Sequence, residues 1–247
     1  MEYIIRTNEQ NMKAIFDSTN KQISEWFKDI SKCGLVRGQS RYYTAKREDW
    51  KEAIFDVDGN QITPWFSAVN SCYGLVAGQS EYFVATSTDF RKEAIFHISG
   101  EQISRWFDVV YTVGLVEGQS EYYIVKRIWK RQMAIYHISG KRISKWFPEI
   151  DPYGLVKGQS KYYVARSGKG YAIFHVSGRR ISNWYDAVSY TGLVEGEAPY
   201  FCGETYTKKG DVYTIFKLEK DGRVLAIANG GPETEEKFLQ LVKQTKS

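Results

Sequence analysis

The chain has 247 residues, 43% of them apolar, with 18 Tyr, 13 Phe and 7 Trp against only 5 Pro; such a composition can bury a real core and excludes a disordered polymer. With 34 Lys and Arg against 29 Asp and Glu the formal net charge is +5. No apolar run approaches the roughly 18 residues of a membrane-crossing helix, and Met1 leads into Glu2-Tyr3-Ile4-Ile5-Arg6 with no signal-peptide core, so a cytoplasmic location is expected.

The organisation is repetitive. Gly-Leu-Val begins at Gly34, Gly74, Gly114, Gly154 and Gly192, in steps of 40, 40, 40 and 38 residues, and Ala-Ile-Phe or a near variant begins at Ala14, Ala53, Ala94, Ala134, Ala172 and Thr214. A period of this size marks a repeat architecture, and the aromatic and β-branched content marks it as all-β. The repeats divide residues 1–231 into units 1–40, 41–80, 81–120, 121–160, 161–198 and 199–231, the last truncated because it lacks Gly-Leu-Val. Within 121–160, Tyr122-Tyr123-Ile124-Val125 and Met133-Ala134-Ile135-Tyr136-His137-Ile138 read as strands. A turn at Ser139-Gly140 leads into Lys141-Arg142-Ile143-Ser144-Lys145-Trp146-Phe147, and Gly154-Leu155-Val156 closes the unit. The turn residue is Asn20, Gly59, Gly100, Gly140 or Gly178, a choice that predicts a left-handed backbone there. A unit of about 40 residues with three or four strands matches one blade of a β-propeller, so six blades are expected; a β-solenoid or open repeat array is the alternative.

Stacking the units exposes three columns. The first, Asp17, Asp56, His97, His137 and His175, holds every histidine of the protein and would suit a metal if it converged. Its place three residues before the turn assigns it instead to turn hydrogen bonds. The second, Trp26, Trp65, Trp106, Trp146 and Trp184, each two residues after Ser or Thr, reads as a set of core anchors between repeats. Stacking of the indoles on sugars or bases is the alternative. The third, Gln39-Ser40, Gln79-Ser80, Gln119-Ser120 and Gln159-Ser160, becomes Glu197-Ala198 in the fifth unit. Four equivalent serines cannot each own a catalytic triad, so a turn or edge hydrogen bond is expected and no catalytic residue is assigned. Cys33, Cys72 and Cys202 lack the spacing of a disulfide framework or zinc site, and neither metal nor cofactor is expected.

Charge is uneven. Residues 1–120 carry 13 cations and 16 anions, residues 121–198 carry 13 and 6, and residues 199–247 carry 8 and 7. The excess therefore sits in the fourth and fifth units, at Lys126, Arg127, Lys130 and Arg131 around Trp129, and at Lys141-Arg142 and Arg179-Arg180. Such a basic wall with an aromatic suits an anionic partner, a protein first and a nucleic acid or other polyanion second. After Gly231, Pro232 and the acids Glu233, Glu235 and Glu236 precede Phe238, Leu241 and Val242 at helical spacing. This predicts an amphipathic helix over 232–247 that caps one end of the β structure.

Residues 53–66, Ala-Ile-Phe-Asp-Val-Asp-Gly-Asn-Gln-Ile-Thr-Pro-Trp-Phe, followed by Gly-Leu-Val and Gly-Gln-Ser, resemble the bacterial tryptophan-glycine (WG) repeat family, with Glu52-Ala53 and Lys13-Ala14 where that family has Trp-Gly. The resemblance spans nearly the whole chain. It implies a surface-recognition module without shared catalytic activity, and it transfers no functional residue.

Overall fold

In the computed structural model, which describes residues 2–246, the chain is mostly β: six small antiparallel sheets follow one another and one helix closes the chain. The first sheet pairs β1 (Tyr3–Thr7) with β2 (Lys13–Asp17). The second has the order β3 (Asp29–Ile30), β4 (Tyr42–Lys46), β5 (Glu52–Asp56), and the third β6 (Ala68–Val69), β7 (Tyr82–Thr86), β8 (Glu93–His97). The fourth contains β9 (Val109–Gly114), β10 (Tyr122–Arg127) and β11 (Gln132–His137); the fifth β12 (Glu149–Ile150), β13 (Tyr162–Ser167) and β14 (Gly170–His175). The sixth has four strands, β15 (Ala187–Val188), β16 (Tyr200–Thr207), β17 (Gly210–Leu218) and β18 (Val224–Gly230), and α1 follows at Pro232–Lys246. The sixth unit lacks Gly-Leu-Val, yet its strands are the longest. Two compact units share the chain. One runs to Gln119 and includes Val125–Arg127 and Ile138–Gly140; the other comprises Ser120–Ile124, Ile128–His137 and the chain from Lys141.

Each sheet is centred on a hairpin of the Tyr-rich and Ile-Phe segments; in the first, Ile4 lies opposite Phe16, and from the second sheet on the alternation of side chains puts one aromatic of each strand face to face. Tyr43 stacks on Phe55 at 5.5 Å, Phe83 on Phe96 at 5.6 Å, Tyr163 on Phe174 at 5.4 Å and Phe201 on Phe216 at 4.9 Å. Cross-strand pairs of this kind are the unit of sheet stabilisation. The two-residue strand that opens each of sheets two, three, five and six comes from the sequence before Gly-Leu-Val, so Ile30 pairs with Ala45 of the next repeat. Every such crossing ties one repeat to its successor.

The Ile-Ser-x-Trp segment does not continue the sheet as a strand; in the first five repeats it makes only isolated bridges such as Phe16 to Gln22 and Lys13 to Phe27. The buried serine explains the break. Ile15 N donates to Ser24 Oγ at 2.9 Å, and the same bond recurs from Ile54 to Thr63, Ile95 to Ser104, Ile135 to Ser144 and Ile173 to Ser182. A side-chain oxygen thus stands where a ladder carbonyl would, which satisfies the buried N–H while it interrupts the strand. These hydroxyls are structural.

Gly-Leu-Val folds as a helical turn, formally a 3-10 helix at Gly34–Arg37. Gly74 has φ +65, and a Cβ there would lie 2.2 Å from Tyr82 O, so only glycine fits. The hairpin-turn column is left-handed as expected, with φ 70 at Asn20 and +84 at Gly59.

Candidate functional site

The Asp and His column organises turns. Asp17 Oδ1 accepts from Thr19 N and Lys21 N at 2.9 Å, and Asp56 Oδ1 accepts from Asp58 N and Asn60 N at 2.9 Å. Burial opposes the charge of Asp56, but the side chain and backbone of Asn60 and the backbone of Asp58 outweigh it and hold the carboxyl below its ordinary value. In the later repeats His97 Nδ1 and His175 Nδ1 take the same place, each accepting from the backbone N–H two residues on at 3.2 Å. His97 Nε2 lies 3.2 Å from Glu81 and His137 Nε2 lies 3.1 Å from Glu121. Burial, with Arg179 and Lys161 nearby, lowers the His175 imidazole below its ordinary value. Among the described residues no three His, Cys, Asp or Glu side chains are grouped to hold a metal ion.

The Gln-Ser column joins repeats. Ser40 Oγ donates to Val76 O, Ser80 to Val116, Ser120 to Val156 and Ser160 to Val194, all at 2.5–2.6 Å. The preceding glutamine folds back, so Gly74 N donates to Gln79 Oε1 at 2.8 Å. The fifth repeat departs from this pattern for a structural reason. Val242 of α1 lies where the next repeat's valine would: Cβ atoms built on Gly74 and Gly154 meet Cγ1 of Val116 and Val194, and one built on Gly192 meets Val242 Cγ2. Ala198 is buried against Phe238 and Val242, and Glu197 pairs with Lys246. The helix caps the last repeats, in keeping with its amphipathic sequence.

The tryptophans are not fully buried between repeats, although Trp65 reaches Phe27 of the preceding repeat, ring centroids 6.4 Å apart. Trp26, Trp65, Trp106, Trp146 and Trp184 are half-buried or exposed. Each indole packs edge-on against its own repeat's aromatic, as Trp65 does on Phe55 at 5.8 Å and Trp184 on Phe174 at 5.9 Å. The anchoring role falls to the next residue: Phe27 lies 5.0 Å from Phe55, Phe66 5.1 Å from Phe96 and Phe147 5.1 Å from Phe174. The indoles flank that core.

The basic residues do not form one wall. Ile128–Arg131 form the hairpin tip before β11, where Trp129 is 94% exposed and Arg131 N donates to Ile128 O at 3.0 Å. Lys141 and Arg142 follow the turn at the other end of β11, where Arg142 bridges Tyr136. Five residues of strand, about 16 Å at 3.3 Å each, separate Arg131 from that bridge. Lys126 and Arg127 end β10 beside the tip. Arg180 joins Arg142 in a cleft of about 700 Å³ with Lys145 and Trp184, whereas the Arg179 guanidinium points to the Gly222 turn. Lys126, Lys130, Arg131, Arg142, Lys145 and Arg180 have no carboxylate within 4 Å among the described residues.

Two further surface residues carry no signal in the repeat pattern. Trp50 and Phe90 crown the hairpins of the second and third sheets, 62% and 67% exposed, with φ 65 and 57. The first hairpin has Asn11 at this place, φ 59, the residue such a turn prefers. A large apolar side chain held in water on a strained backbone points away from folding as its reason for being there.

No protein-family model matches the sequence, and no curated protein matches it. Among solved structures the chain is similar to Hsv2 of Kluyveromyces lactis, at 12% identity over 89% of this chain and 74% of that one, with a TM-score of 0.39. It is also similar to the WD40 β-propeller domain of Doa1, at 9% identity over 92% and 79%, TM-score 0.33, and to BamB from Moraxella catarrhalis, at 11% over 94% and 71%, TM-score 0.34.

Proposed function

We propose that the chain is a non-enzymatic interaction scaffold that binds an acidic protein surface through the hairpin tip of its fourth repeat. The observation that carries this reading is Trp129, almost wholly in water at the apex of a tip that also presents Lys130 and Arg131. An exposed Trp beside Arg is the composition of a binding hot spot, and the cations would steer an acidic partner to it. Trp50 and Phe90 extend the same character to two other hairpins. The repeated polar residues support the non-enzymatic part of the reading: the serines and the Asp and His column are engaged with backbone or with glutamate. The resemblance to WG repeats agrees with surface recognition. Affinity capture with the protein as bait tests the proposal. Changing Lys126, Arg127, Lys130 and Arg131 to Gln should release an acidic protein that the unaltered chain retains, and unchanged retention would sink the role of this tip.

A second reading is a small-ligand or carbohydrate binder. It is favoured by Trp26 and Trp65, which line a cleft of about 440 Å³ with Arg47, Glu48 and Asp49. Calorimetry against a glycan panel should then show a site that Trp65→Ala abolishes; an unaffected isotherm would exclude it.

A further inference from the structure

The 700 Å³ cleft of the second compact unit is independent of the hairpin tip and differs from its counterparts in one respect. Arg142, Lys145 and Arg180 supply three cations to its lining, and no carboxylate lines it. The corresponding positions in the first unit are Gln22, Glu25 and Gln61, and then Gln61, Pro64 and Gln102. The glutamines there act locally: Gln22, Gln61 and Gln102 each donate from Nε2 to the carbonyl two residues on, at 2.6–2.7 Å. Arg142 and Arg180 make no such bond; Arg180 lies over the Trp184 ring at 5.4 Å. The repeat has therefore exchanged two self-satisfied amides for two guanidiniums free to bond outward.

The lining includes an unused donor. Tyr163 is 1% exposed and lines the cleft, and its side chain makes ring contacts but no hydrogen bond among the described residues. Burial alone raises the phenol far above its ordinary value, so at neutral pH it stays a proton donor. Its oxygen is not one of the buried unpartnered side-chain atoms of the described residues, which are Tyr43 Oη and Thr44 Oγ1, so the hydroxyl is open to the cleft and can donate to an acceptor that a ligand brings there. Phe147, Phe174 and Trp184 add apolar wall. Three cations, one neutral donor and an aromatic wall match a compact multivalent oxyanion carried on an apolar group, because guanidinium forks and phosphate oxygens are geometrically complementary. A carboxylate would leave most of these donors unmet.

The geometry points to this cleft as a binding site for a phosphomonoester, held by Arg142, Lys145, Arg180 and Tyr163. Titration of the full chain with phenyl phosphate, followed by calorimetry in low salt, tests it. Saturation below about 10 mM is expected, together with at least about tenfold weakening in each of Arg142→Gln and Arg180→Gln. Glutamine already stands at these places in other repeats, so the variants should fold; unchanged melting temperatures confirm it. Tyr163→Phe should weaken binding without loss of stability, because Phe83 and Phe201 already occupy the same position in other repeats. A phosphoserine peptide binding more tightly than phenyl phosphate would make the source a modified protein, and the reverse order a small ester. No saturation, equal affinity for benzoate, or Gln variants that bind as well as the parent would each overturn the assignment.

Discussion

Replacing Phe238 by Ala should open the C-terminal helix without unfolding the sheets. Phe238 is 1% exposed and packs with Val242 against Ala198, Cys202 and Ile215. Truncating a buried Phe costs about 3 kcal/mol or more. An isolated 15-residue helix is marginal in water, so this loss falls on docking and the element opens locally. Cys202 reports the event. Its thiol is buried beneath the helix and pushed up to about 11, by burial first and then by Glu235 and Glu204. Since about 1.4 kcal/mol is a tenfold change in an equilibrium, the open population should rise on the order of 100-fold. The alkylation rate of Cys202, read by peptide mass spectrometry, should rise by that factor. Exposed Cys72 should label at the same rate in both proteins. Equal Cys202 rates would refute the capping role of α1, and a parallel acceleration at buried Cys33 would show global rather than local opening.

Three further outcomes concern the repeats, and a fourth the acid limb. Ser80→Ala removes the 2.6 Å bond to Val116 O and the Tyr82 N bond to Ser80 Oγ, and should cost about 2 kcal/mol in denaturant unfolding. Ala198→Ser should gain nothing and instead lower the melting temperature, because the new hydroxyl would face Phe238 and Val242. Trp50→Asn relieves a left-handed aromatic and should stabilise by roughly 1 kcal/mol in the same unfolding assay while weakening any contact made by that hairpin. Acid unfolding should show the Asp56 carboxylate: its lowered folded value means more protons bound in the unfolded state, so stability is present above the ordinary Asp value and is lost as pH falls through the folded one. In Asp56→Asn that part of the acid limb should flatten in a pH-melting series.

Much of the fold was legible because repetition averages out local ambiguity. Six copies of the Tyr-rich and Ile-Phe segments fix six hairpins, and interchange of Asn20 with Gly59 announces a left-handed turn. The Ile-Ser-x-Trp segment has the composition of a strand; only the folded chain shows Ser24 Oγ capping Ile15 N. Gly-Leu-Val served as a repeat marker without a conformation, because glycine permits both a bulge and the helical turn that it forms. The Trp column misled because size suggests burial, whereas Phe27 and Phe147, one residue on, reach the neighbouring repeat. The basic residues were found by counting charge, but a count cannot see that β11 parts the tip from the cleft. The change to Glu197-Ala198 had no reading in the repeat pattern alone, because its cause is α1, which packs on Ala198 and pairs with Glu197.

The role of the hairpin tip is tested most directly by the affinity of a synthetic Glu- and Asp-rich peptide for the parent chain and for Trp129→Ser with Lys130→Gln, measured by fluorescence anisotropy at two salt concentrations. Binding should be salt-sensitive and weaken at least about tenfold in the variant, at unchanged melting temperature. Equal affinity in the two proteins would contradict it.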